Sequence, residues 1–272
     1  MIRRGLICAM LLCCFGSVAA AQFFGGRGPR VPPRYPTLDT FGHGFVFCRG
    51  IYTSGRREAG GSGWTTDYPD AERNFMIRFS ELTRTRVRFL ENGEPDFVTV
   101  RLTDPLLMQC PYLHMEDIGT AFFSEDEIVA LRQYLLKGGF IWVDDYWGPD
   151  AWDNWVGQIS EVLPPATYPI RDLAMDHAIF HAQLDVKEFP QIPSIQFWRT
   201  SGGATSERGA DSAMPHVRGI SDEHGNIMIL MTHNTDISDA WEREGEDPRF
   251  FYSFSPPGYA VGINAMLYAM SH

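Results

Sequence analysis

The sequence predicts an α/β fold with a mainly parallel sheet, and three observations carry that expectation. Residues 138–148, GGFIWVDDYWG, form a short unbroken apolar run opened by a glycine pair and closed by two aspartates. A run of that length reads as a strand buried on both faces. Residues 227–232, IMILMT, repeat the pattern and end at His233. Amphipathic helical segments alternate with these strands, as a doubly wound parallel sheet requires.

The elements follow in chain order. Residues 1–21 have the zones of a secretory signal: Arg3 and Arg4, an apolar stretch from Leu6 to Val18, and small residues at Ala19, Ala20 and Ala21. The apolar stretch is too short to span a bilayer, so cleavage and release to the periplasm or the medium are expected. Residues 22–40, rich in Gly, Pro and Arg, read as an extended linker, and residues 41–272 as one α/β domain. Residues 44–52, GFVFCRGIY, give the first strand, and the glycine-rich residues 54–63 a mobile polar loop. Pro69 opens a helix with Asp70 and Glu72 opposing its dipole and Phe75, Phe79 and Leu82 on its buried face.

The spacing predicts a second helix over 124–137. Ser124 and Glu127 make a capping box, Ile128, Leu131 and Leu135 the apolar stripe, and Gly138 the stop. The strand at 140–143 follows directly, then a helix over about 151–159 capped by Asp150. Residues 164–226 are weakly patterned and read as an elaboration on the sheet. The strand at 227–232 leads to a last helix over 259–270, and no internal repeat is present.

The chain holds 34 acidic against 23 basic residues, a net charge of −11, and removal of Arg3 and Arg4 makes it more acidic still. That balance argues against nucleic acid or an anionic membrane face as partner. A hydrophobic content of 44% gives the remaining length a substantial single core, and with the short signal segment cleaved no stable membrane span is expected in the mature chain. Cys8, Cys13 and Cys14 leave with the signal, so Cys48 and Cys110 remain, each near the end of an expected strand. They form either a disulfide or two buried thiols.

Ligands of open α/β sheets bind beyond the carboxyl ends of the strands. Two such ends are rich in chemistry: Asp144, Asp145, Tyr146 and Trp147 after one strand, and His233, Asn234, Asp236, Asp239, Trp241 and Glu242 after the other. Carboxylates crowded at one sheet edge repel unless protonated, hydrogen-bonded or bridged by a cation. Asp67, just ahead of the helix at Pro69, is a further candidate for the same crevice. The alternative for each is local: Asp and Asn after strands also cap helices and stabilise turns. Asp145 as nucleophile or base, His233 as proton carrier and Asp236 as its orienting acid make a hydrolytic set. Asp144, Asp145, His233 and Asp236 could instead take a divalent metal. His177 and His181 are spaced as a helical ligand pair, with packing or capping as the plainer role. Trp152 and Trp155 join Tyr146 and Trp147 as an aromatic set that either stacks on a ligand or fills core.

The chain lacks a phosphate-binding loop, a dinucleotide fingerprint, a zinc-protease helix motif and a nucleophile elbow, and no cofactor is identified. The segments WTTDYPDAERN, LRQYLLKGGFIWVDDYWG, HNTDISDAWE and GINAMLYAMSH, in that order, resemble the bacterial family called domain of unknown function 4159. The resemblance covers about residues 41–272. Its distant similarity to class I glutamine amidotransferases implies a flavodoxin-like three-layer sandwich. Those enzymes place a nucleophilic cysteine after the strand matching 140–143, where this chain has Asp144 and Asp145. Their later histidine and acid match His233 and Asp236. The resulting expectation is an exported, non-catalytic module that binds a small polar ligand or a protein segment, with hydrolysis through Asp145, His233 and Asp236 as the alternative.

Overall fold

The computed structural model of the protein describes residues 31–272. The expected signal segment, 1–21, and linker residues 22–30 lie outside them. In chain order the strands and helices are β1 (Phe47–Ile51), β2 (Thr53–Ser54), α1 (Asp70–Leu82), β3 (Phe97–Arg101), β4 (Leu113–Met115), β5 (Ala121–Phe122), α2 (Glu125–Leu136), β6 (Ile141–Val143), α3 (Gly148–Val162), β7 (Arg171–Asp172), α4 (Ile195–Thr200), β8 (His216–Ser221), β9 (Ile227–His233), α5 (Asp239–Glu242) and α6 (Pro248–Ala269).

Seven strands form one sheet in the order β3-β1-β4-β6-β9-β8-β7. The first five are mutually parallel; β8 runs antiparallel to β9 and β7 antiparallel to β8. Alternation along each strand feeds two cores. Phe47, Trp142 and Leu230 pack with Phe75 and Phe79 of α1 and Ile263 and Met266 of α6. Leu113, Ile141, Val143 and Ile229 point to the opposite face, against Leu131 and Leu135 of α2 and Trp155 and Ile159 of α3. Helices on both faces make this a three-layer α/β fold. Each wholly buried large side chain contributes roughly 1.5–3 kcal/mol of transfer free energy, which is why short strands such as β4 and β6 hold.

Cys48 and Cys110 form a disulfide with a Cα–Cα distance of 6.0 Å, settling the choice left open by the sequence. Cys48 lies inside β1, and Cys110 follows a 3₁₀ turn, Pro105–Gln109, ahead of β4 rather than ending a strand.

Several boundaries move for identifiable reasons. The capping box at Ser124 and Glu127 forms in full, and Gly138 takes φ 91° at the stop of α2. Helix α3 starts earlier than its aromatic stripe suggests, with Trp147 at its cap position and no side-chain cap. Asp150 therefore lies in the first turn, where it opposes the dipole instead of capping. Helix α6 begins at Pro248, where the Asp247 side chain accepts from Arg249 N, and continues through Pro256 and Pro257. Burial of Phe250, Tyr259, Ile263 and Met266 outweighs the local cost of those prolines, about 3 kcal/mol each in a helix interior. His177 and His181 flank a 3₁₀ turn, Ala178–Phe180: His177 Nδ1 accepts from Ile179 N and His181 Nε2 donates to the Met175 carbonyl. They cap and pack and do not share a helical face. Among the described residues no helix is long and apolar enough to cross a membrane.

Candidate functional site

The parallel strands deliver four acidic turns to one edge of the sheet. Asp117 follows β4, Asp145 follows β6 and Asp236 follows β9, while Asp67 arrives on the loop before α1. Asp67, Asp117, Asp145 and Asn234 all adopt left-handed backbone, with φ of 61°, 48°, 51° and 61°. Asp and Asn tolerate this conformation better than other non-glycine residues because their short side chains bond locally. It bends the chain sharply at each strand end and leaves the carboxyls around a shared space.

That space is a cleft of about 200 Å³ lined by Asp67, Asp117, Asp145, Asp236 and Asp239, with Glu58, Glu207, Trp147, Arg208 and Arg243 on its walls. One N–H group fixes each of four carboxyls. Gly63 N donates to Asp117 Oδ2 (2.7 Å), Trp147 Nε1 to Asp145 Oδ1 (2.9 Å), Asp239 N to Asp236 Oδ1 (2.8 Å) and Ile195 N to Asp239 Oδ2 (2.7 Å). Burial raises the proton affinity of every one of these groups. Asp67 and Asp117 are pushed up to about 7, the first also by the charge of Glu116, the second also by Glu58. Asp145, Asp236 and Asp239 rise well above the ordinary carboxylate range, by burial first and then by the charge of Asp67 beside each. Glu242, behind the cleft, is pushed up to about 10 by burial and by Asp67.

A second, wholly buried layer lies under the cleft. Asp144 Oδ2 accepts from Ile237 N (2.7 Å) and Ser238 N (3.1 Å), and Thr232 Oγ1 donates to Oδ1. Asp144 has no exposed surface and does not line the cleft; it ties β6 to the turn that carries Asp236 and Asp239. Glu116 contacts His114 Nε2 and Ser238 Oγ, and Arg49 pairs with Glu72. Burial opposes the charge on Glu116, but His114, with Arg49 and Ser238, holds it below the usual carboxylate range.

The structure thus brings Asp67, Asp145, Trp147, Asp236 and Asp239 to one cleft, with Glu242 beside Asp67 and Asp239, and places Asp144, Tyr146, His233, Asn234 and Trp241 outside its lining. His233 does not line the cleft: its Nε2 donates to the Gly148 carbonyl (3.0 Å) and its ring stacks on Tyr146, with centroids 4.9 Å apart. Burial lowers its pKa to about 4, so it is neutral near physiological pH. Asn234 braces the site, accepting from Gly148 N (2.8 Å) and donating to the Met214 carbonyl (2.9 Å). Tyr146, Trp155 and Trp241 are core, Trp241 lying 4.5 Å from the Phe75 ring centroid. Trp147 reaches the cleft wall, whereas Trp152 lies under Arg218 at 4.2 Å. The loop at 54–63 forms a wall rather than hanging free, because Arg208 Nη2 donates to Ala59 O (2.8 Å) and Arg56 Nη1 to Gly119 O (3.0 Å).

Sequence reasoning missed Asp117, Glu58, Glu207 and Arg243. For Asp117 a partial signal exists: Leu113-His114-Met115-Glu116-Asp117 ends in an acid pair as Ile141-Trp142-Val143-Asp144-Asp145 does, but His114 interrupts its apolar run.

Among the described residues two groups have the geometry to hold a metal, each with ligand atoms within 4.8 Å of one another: His114, Glu116 and Asp144, all buried, and Asp67, Asp239 and Glu242. The first set is committed to internal hydrogen bonds. The second reaches the cleft through Asp67 and Asp239.

Fold and site together define a three-layer α/β protein with an acidic cleft at the carboxyl edge of its parallel strands. The chain belongs to the family described as domain of unknown function (DUF4159), whose profile matches residues 53–270. No curated protein matches the chain.

Proposed function

We propose that this protein is an exported binding module whose strand-end cleft takes a small polar ligand bearing positive charge. One observation carries this reading: five aspartates converge on one cleft while neither an imidazole nor a thiol joins them. Carboxyls crowded this way are disfavoured until a cation or a multiple hydrogen-bond donor enters, so the cleft is selective by charge. The disulfide supports an oxidising destination outside the cytoplasm. The order of the five parallel strands, second-first-third-fourth-fifth in chain sequence, supports a flavodoxin-like and amidotransferase-like reading of the sheet.

Hydrolysis through Asp145, His233 and Asp236 is the second reading, favoured by Asp145 and Asp236 lining one cleft. It requires His233 to leave the Gly148 carbonyl. The test is saturation-transfer NMR with spermidine, L-arginine and glucosamine, run beside turnover assays on amide, ester and glycoside substrates. The binding reading expects transfer to at least one amine, lost in Asp236→Asn, and no turnover. Turnover abolished by both Asp145→Asn and His233→Gln would replace it with the hydrolytic one.

A further inference from the structure

Resting on the cleft reading above, the geometry assigns a hard divalent cation, of the calcium, magnesium or manganese kind, to Asp67, Asp239 and Glu242 at one corner of the cleft. Carboxylate oxygens from these three residues lie within 4.8 Å of one another, a span one ion can bridge with its oxygen ligands at about 2.0–2.6 Å.

Convergence of acids alone would not identify a ligand, and the state of the individual oxygens adds an independent observation. Asp67 Oδ2 has no exposed surface and no hydrogen-bond partner. Glu242 Oε2, on a side chain only 9% exposed, is also buried without an aligned hydrogen-bond donor, although Arg243 Nε stands beside it in an ion pair. A buried carboxylate oxygen without a donor costs on the order of 1–3 kcal/mol, so Asp67 Oδ2 calls for an occupant.

Arg243 is the nearest cation; it pairs with Glu242 and lies near Asp239 but makes no ion pair with Asp67. Its Nε lies 2.6 Å from Glu242 Oε2 and 3.7 Å from Asp239 Oδ1, aligned for a hydrogen bond to neither, while Nη1 is turned to Glu246 (2.7 Å). Charge balance agrees: once an entering cation displaces the protons that burial favours, three carboxylates against one guanidinium leave two negative charges, which one divalent ion closes. The donor set also narrows the ion. All three ligands are carboxylates, with no imidazole or thiolate among them, and hard oxygen donors select calcium, magnesium or manganese over zinc or copper. The cation would enter from the cleft side, where Asp67 and Asp239 are exposed to the same space as Asp145 and Asp236.

Calorimetric titration of chelator-treated, dialysed protein with CaCl₂, MgCl₂ and MnCl₂, and separately with spermidine, tests the assignment. The expected result is saturable binding of one ion per chain for at least one of the three metals. Affinity falls at least about tenfold in Asp67→Asn and in Glu242→Gln, and stays within about threefold in Asp150→Asn, which lies outside the site. Circular dichroism confirms that each variant is folded. An upward shift of the wild-type unfolding midpoint with the bound metal gives a readout independent of the variants. Spermidine binding without any metal binding overturns the cation assignment and leaves the cleft reading standing. Binding of neither overturns both. Metal binding unchanged in both Asp67→Asn and Glu242→Gln places the ion elsewhere and overturns the assignment.

Discussion

Asp117 and Asp145 end neighbouring parallel strands in the same left-handed backbone conformation, at φ 48° and 51°, and both line one cleft. Each is the second of an acid pair. The first member, Glu116 or Asp144, is wholly buried and bonded into the layer beneath. The pairs therefore divide labour: the inner acid fixes the turn and the outer one faces the cleft. Four predictions follow from that division and from the surrounding scaffold.

Removing an outer charge should stabilise the empty protein. Asp236 accepts one backbone N–H, which an Asn amide oxygen can also accept, and its carboxyl is held well above the usual range by burial and by Asp67 and Asp145. A carboxyl with a raised folded-state pKa contributes its stability below the unfolded value and loses it as pH rises. Asp236→Asn is expected to gain on the order of 1–2 kcal/mol above neutral pH, read as a higher unfolding midpoint, at the expense of binding. A lower midpoint would mean that the charge is already compensated.

Removing an inner acid should do the reverse. Asp144→Ala leaves Ile237 N and Ser238 N without their acceptor in a site with no exposed surface, while the Thr232 hydroxyl keeps only the Val143 carbonyl. The expected loss is roughly 2–4 kcal/mol, measured by chemical denaturation, with faster amide exchange over residues 235–239.

Two histidine-linked and carboxyl-linked pH effects should separate. His233 has its folded-state pKa lowered to about 4 by burial, so its contribution is present above the ordinary histidine value and is lost as pH falls from about 6.5 through 4. Asp67 and Asp117, raised to about 7, act oppositely: their contribution is present at low pH and is lost as pH rises from the ordinary carboxyl range through 7. Unfolding midpoints of the wild type and His233→Gln across this range should diverge only on the acid side.

Reduction should matter because the disulfide closes a long loop inside the core. Cys48 and Cys110 are 62 residues apart, and both are buried. Cys48→Ala with Cys110→Ala is expected to cost roughly 2–5 kcal/mol, and the wild type should show a similar drop in strong reductant.

What the sequence disclosed depended on the length of each signal. β6 and β9 were legible because their apolar runs are continuous and end in acid, and α2 because its cap residues are local. β4 was not: three residues that include His114 have no period to detect, so Asp117 and Glu116 went unnoticed at its end. The amino-terminal half of α6 was hidden by Pro256 and Pro257, whose cost is offset only by tertiary burial. In the site, Asp67, Asp145, Asp236 and Asp239 were readable as strand-end or pre-helix acids. The orientation of His233 was not, because it depends on the ring of Tyr146 and the carbonyl of Gly148, contacts that exist only once β6, β9 and α3 have packed. Glu58 and Glu207 reach the cleft on loops that carry no periodic signal.

The most direct measurement of the central claim is a calorimetric titration of spermidine into the wild type and Asp236→Asn at about pH 8, where Asp67 and Asp117 carry charge. Saturable binding to the wild type is expected, with at least about a tenfold weaker response in the variant. Equal binding to both, or none to the wild type, would contradict the claim.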